Sequence, residues 1–134
     1  LWLWENYTVY FYDEKNGKNY IEKFIEELSK LDAGKMAEIM NVFFDRIENG
    51  IGIPYDFIKN KTIKELKGNN KIYEYRNRSS KLKKQIRIYF CVDDFQKHII
   101  ILHAAFKENK KSQQNDIKVA ERRKKDYFKN SGGE

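Results

Sequence analysis

The chain has 134 residues, of which 40% are hydrophobic and 15% aromatic. This suffices for one domain with a buried core and argues against a disordered chain. The formal charge of +7 excludes an acidic solvating segment and points to polyanionic partners. A single cysteine, Cys91, excludes an internal disulfide and a cysteine-based zinc site.

Residues 2–12, WLWENYTVYFY, are aromatic and β-branched and predict a strand. The turn 13–18 is punctuated by Asn16-Gly17. Apolar residues at 21, 24, 25, 28 and 31 then have helical spacing, with Asn19 as cap and Glu22 three residues on. A second helix follows over 32–50, apolar at 36, 39, 40, 43, 44 and 47, capped by Asp32 and stopped by Gly50. Pro54, the only proline, ends the helical half. The period then changes. Segments 62–66, 71–77, 84–92 and 97–106 read as four strands, joined through Gly68-Asn69-Asn70, Arg78–Lys83 and Asp93-Asp94. A last helix is predicted over 112–128, capped by Ser112, with a sparse apolar stripe at 117, 120, 127 and 128. The order β-α-α-β-β-β-β-α describes a single α+β domain over 1–134, with a mostly antiparallel sheet, an N-terminal helical pair and a C-terminal helix. LWLW at the N-terminus lacks a basic leader, and no apolar run approaches a bilayer span. With one cysteine, this predicts a cytoplasmic protein without a membrane partner.

Charge is divided along the chain. Residues 1–60 hold 7 Lys/Arg and 11 Asp/Glu, a net −4, and residues 61–134 hold 20 and 9, a net +11. Nucleic acid is the first candidate for the basic half, and a solvated face is the bland alternative. Alternation places Ile86, Ile88, Phe90 and Val92 on one face of their strand, with Gln85, Arg87, Tyr89 and Cys91 on the other. Likewise Tyr73 and Tyr75 oppose Ile72, Glu74 and Arg76. Arg76 and Arg87 are therefore expected on one side of the sheet, away from the aromatic core. His103 shares a face with Ile99, Ile101 and Ala105, and that strand is apolar on both faces. The structural alternative pairs Arg87 with Glu65 or Glu74, and Arg76 with Asp93 or Asp94. ERRKK at 121–125 reads as the polar face of the last helix, with contact to RNA or the ribosome as the functional alternative.

The ordered set IKELKG, IYEYR, IRIYF, IIILHAAFKENKKS and DIKVAERRKKDY resembles RelE/HigB-type toxins of type II toxin–antitoxin systems, in particular the phage-derived HigB-like branch. The resemblance covers nearly the whole chain. It implies a RelE-like fold and a metal-independent, cofactor-free mRNA endoribonuclease, ribosome-dependent, that arrests translation by 2′-OH attack. It also implies three partners: mRNA, the 70S ribosome, and a cognate antitoxin with a helix-turn-helix region, through which alone operator DNA is reached. Carried over by motif position, Arg87, Arg76, His103, Lys64 and Lys67 are the implied catalytic residues. The guanidinium groups suit the phosphorane charge, and the imidazole suits proton transfer. Lys107 and Lys111 match the motif's lysines and, with Lys83 and Lys84, are expected to bind RNA. The chain departs from the pattern at Ala104-Ala105, Glu108 and Gln113. A ParE-like gyrase inhibitor of the same fold and an RNA- or ribosome-binding module without catalysis are the alternatives.

Overall fold

A computed structural model describes residues 2–68 and 71–131. Asn69 and Asn70, expected in a connection, lie outside the described residues. The described chain forms β1 (Trp2–Leu3), β2 (Thr8–Phe11), α1 (Tyr20–Leu31), α2 (Ala33–Met40, continued as a π-helix over Asn41–Glu48), β3 (Ile53–Pro54), the single turn α3 (Asp56–Lys59), β4 (Ile63–Glu65), β5 (Ile72–Ser79), β6 (Lys84–Asp93), β7 (His98–Phe106) and α4 (Lys110–Ser131). This is an α+β fold with N-terminal helices, a central mixed sheet and a C-terminal helix.

The main sheet has the order β2-β7-β6-β5-β4, parallel between β2 and β7 and antiparallel elsewhere. The predicted starts of α1 and α2 hold. The Asn19 side chain accepts from the Glu22 N–H, and Asp32 accepts from the Lys35 N–H, satisfying donors that a first turn leaves open. Asp32 also accepts from the Ser79 hydroxyl, so one carboxylate ties the start of α2 to the end of β5.

Three expectations fail locally. The strand predicted over 2–12 is two short strands, because Trp4 and Asn6 take positive φ (58° and 63°) and the chain turns between them. The turn aims Trp4 edge-on at Tyr73 and Phe90, with ring centroids 5.2 and 5.6 Å away. The loop around Pro54 is partly ordered as β3, which pairs with β1. Here Gly52 sits at φ +81° with the Leu3 carbonyl 2.8 Å from where a Cβ would be, so only glycine fits without a shift. Finally, α4 begins two residues before the predicted start. Asn109 caps it by accepting from the Ser112 N–H, and Ser112 lies inside the first turn.

Both faces of the sheet are covered. α1 and α2 pack on one face, where Phe11, Ile88, Ile101 and Ala104 meet Ile21, Ile39 and Phe43 around a small apolar gap. Phe43 meets Tyr75 and Phe90 edge-on. α4 lies on the other face and runs back along β7. Asp116 reaches His103, Arg123 reaches the Leu102 carbonyl, and Tyr127 reaches His98. Residues 86–91 of β6 are consequently all buried. No helix among the described residues is long and apolar enough to cross a membrane.

Candidate functional site

Arg76 and Arg87 stand directly opposite each other on β5 and β6, on one side of the sheet as alternation predicts. That side is not open. The Arg87 side chain is 8% exposed and its Nη1 donates to Glu74 Oε2 at 2.6 Å. Its Nη2 donates to the Gln85 side chain at 3.1 Å. Gln113, from the first turns of α4, donates to the same Glu74 oxygen at 3.1 Å. Arg76 holds the Lys61 carbonyl through Nε and Nη2, at 3.2 and 2.7 Å, and lies 3.8 Å from Glu74 Oε1. Glu74, an alternative partner expected for Arg87 alone, is the partner of both arginines. Glu65, Asp93 and Asp94 are not. Arg87 Nε is buried without a partner, so this guanidinium is held on Glu74 and Gln85 and shielded from solvent rather than presented to a phosphate.

His103 comes to the same face by a route the sequence does not show. Tyr89 pairs with His103 and Phe90 with Ile101, so Leu102 is an extra residue in β7. This bulge reverses the phase of the strand. His103 therefore sits opposite Ile101 rather than beside it, and its ring stacks on Tyr89 at 6.2 Å between centroids. Its Nε2 lies 2.9 Å from Asp116 Oδ1, and the Arg123 guanidinium donates toward Nδ1 at 3.4 Å. The two contacts select the neutral tautomer with the proton on Nε2. Burial, more than Asp116, decides the titration and pulls the His103 pKa below its ordinary value.

The sign of the pH dependence follows. The unfolded histidine takes up a proton near pH 6.5, whereas the folded one resists until a lower pH. Stability from His103 is complete above the unfolded pKa and is lost as pH falls through the folded one. The urea midpoint is expected to drop between pH 7.5 and 5.5, and His103→Gln should flatten that drop. An equal drop in the variant would assign it elsewhere. Glu14, Asp32, Glu38 and Asp126 have lowered pKa values and act below this window.

The lysines divide. Lys64 is exposed and pairs in register with Glu74, and Lys67 is exposed in the turn after β4. Lys83, Lys84, Lys107 and Lys111 are exposed at one end of the sheet, where the Lys107 N–H donates to the Gln85 carbonyl and α4 begins. Arg76 and Arg87 thus meet at Glu74, His103 lies two strands away against Asp116 and Arg123, and Lys83, Lys84, Lys107 and Lys111 stand beside α4's N-terminus.

Sequence reasoning passed over Gln113, Asp116 and Arg123, which seat α4. Glu74 was visible beside Arg76 by alternation, but its role as the shared acceptor was not. The ERRKK run is not one polar face. Arg123 is 5% exposed, donates to Glu14 Oε1 at 2.9 Å and to the Leu102 carbonyl at 2.7 Å, and lies over the Tyr12 and Tyr20 rings. Arg122 and Lys125 point outward. On α4 the exposed charged residues are Lys110, Lys111, Lys118, Arg122, Lys125 and Lys129, all cationic, whereas Asp116, Glu121 and Asp126 are half-buried. The spacing 118, 122, 125, 129 keeps four of them on one helical face. From Lys111 to Lys129 the track is about 27 Å long at 1.5 Å per residue.

A family model described as phage-derived protein Gp49-like (DUF891) matches residues 18–125. No curated protein and no solved structure matches the chain. The family match overturns the RelE/HigB-type assignment and its ParE-like variant. With it fall the toxin role and the mRNA endoribonuclease activity, since the matched family is described by phage origin and not as a nuclease. No group of three or more His, Cys, Asp or Glu among the described residues is placed to hold a metal ion.

Proposed function

This chain belongs to the phage-derived Gp49-like family, and we propose that it binds nucleic acid through the phosphates, along the outer face of α4. The observation that carries this reading is the sorting of charge on that helix. Its three acids are half-buried, while the six exposed charges are all positive. A helix decorated only for solubility mixes both signs on its outer face. The track extends past α4's N-terminus to Lys107, Lys84 and Lys83, so cations from three elements share one end of the molecule. Such an array gains affinity by releasing the counterions condensed on a polyphosphate. Of the partners that the earlier resemblance implied, nucleic acid is the one this surface supports.

Fluorescence anisotropy with labelled RNA and duplex DNA tests the reading between about 50 and 200 mM salt. Four to six phosphate contacts predict a slope of log K on log salt of roughly −4 to −5 on a duplex. A slope near zero, or no binding at 50 mM salt, would leave the track a solvated face and end the proposal.

A further inference from the structure

The outer face of α4 is not uniform along its length. Near its C-terminal end it borders a groove of about 530 Å³ shared with the turn after β2, a size in the range of small-ligand sites, roughly 300–1,000 Å³. Lys15, Arg122, Lys125 and Lys129 supply its cations, and two carboxylates stand among them. Asp126 accepts from the Tyr12 hydroxyl at 2.6 Å and lies 3.6 Å from the Lys15 ammonium. Glu14 is fixed more tightly still, since its Oε1 accepts from Arg122 Nη2 at 3.0 Å and from Arg123 Nε at 2.9 Å. Both bonds fall on one oxygen. Among the described residues no hydrogen bond falls on Oε2, whose lone pairs suit a donor from outside.

Glu14 neutralises the buried Arg123 through Oε1 alone, and that pairing holds its carboxylate rigid among the cations of the groove. Cations and a fixed, half-used carboxylate together suit a ligand carrying both an anion and an N–H donor. We propose that this groove seats one nucleotide of the bound nucleic acid. Its phosphate lies against Lys15, Lys125 and Lys129, and the amino group of its base donates to Glu14 Oε2. Cytosine offers such an amino group where uracil offers a carbonyl, and a carboxylate attracts the first and repels the second. The seat rests on the reading of α4 as the nucleic-acid surface and adds a base preference to it.

Anisotropy with labelled ten-residue oligocytidylate and oligouridylate tests this at fixed salt. Wild type is expected to bind oligocytidylate about 10-fold more tightly, the low end of what a specific base contact contributes. Glu14→Gln should bring oligocytidylate to the level of oligouridylate. The wild-type comparison needs no variant, so poor folding of Glu14→Gln leaves the test intact. Equal binding of the two oligomers by wild type, with the salt slope present, would overturn the seat and leave the track standing. A preference that survives in a folded Glu14→Gln would overturn the seat as well. Absence of both binding and salt slope would overturn the track itself.

Discussion

Arg87→Ala is expected to destabilise the fold by about 3–5 kcal/mol, the usual cost of removing one partner from a buried ion pair. The reason is the carboxylate left behind. Glu74 is 1% exposed, and its shortest bond is the 2.6 Å contact to Arg87. Without Arg87 it retains Gln113 at 3.1 Å and the more distant Arg76, too little to hold a charge in that position. Arg87→Lys should recover only part of the loss, because an ammonium does not reproduce the guanidinium fork. The double variant Glu74→Gln/Arg87→Met removes both charges and should be less damaging than Arg87→Ala, although the loss of a buried acceptor or donor is felt at each site. Urea denaturation of the four proteins measures this. An Arg87→Ala protein within 1 kcal/mol of wild type would show that the pair is dispensable for the fold.

The same pair shows how far the sequence can be read. Alternation alone places Arg76, Arg87 and Glu74 on one face, and the register across β5 and β6 agrees. The element types were also legible, because the hydrophobic period changes from helical to strand-like after Pro54. What covers the arginine face was not legible. α4 offers few apolar positions, and its seat is largely polar: Gln113 on Glu74, Asp116 on His103, Arg123 on the Leu102 carbonyl and Tyr127 on Asp93. A pattern search for a buried helical face gives such a helix little weight. The bulge at Leu102 was hidden for a different reason. Ile99, Ile100, Ile101 and Leu102 are all apolar, so alternation carries no phase there, and one extra residue moves His103 to the opposite face without any trace in the pattern. The resemblance to RelE/HigB-type toxins is overturned by the family match, and the fold shows what two of the cations it singled out touch. In the fold, Arg87 and Arg76 are bound to Glu74, Gln85 and the Lys61 carbonyl. Exposed cations occur on several elements, and the outer face of α4 is where they stand in a row without exposed acids.

That row makes the second large effect specific. Reversing Lys118, Lys125 and Lys129 together to Glu is expected to weaken nucleic-acid binding by at least about 10²–10³-fold at 0.1 M salt. Each phosphate contact contributes about 0.9 to the salt slope, hence roughly 8-fold in affinity between 1 M and 0.1 M salt, and three contacts multiply to about 500-fold. The slope itself should become shallower by about 3. Folding should be little affected, since these lysines are exposed on the outer helical face and surface substitutions of this kind typically cost within about 0.5 kcal/mol. Long-range field is the rival explanation, because six units of net charge are lost wherever the lysines sit. The control is therefore Lys23, Lys30 and Lys59 to Glu, which makes the same change in net charge at exposed positions on α1 and α3. A general field effect weakens both proteins alike. A track on α4 predicts that the control keeps wild-type slope and loses affinity only modestly, while the α4 variant loses both, because counterions are released where the phosphates lie and not in proportion to the charge of the whole chain.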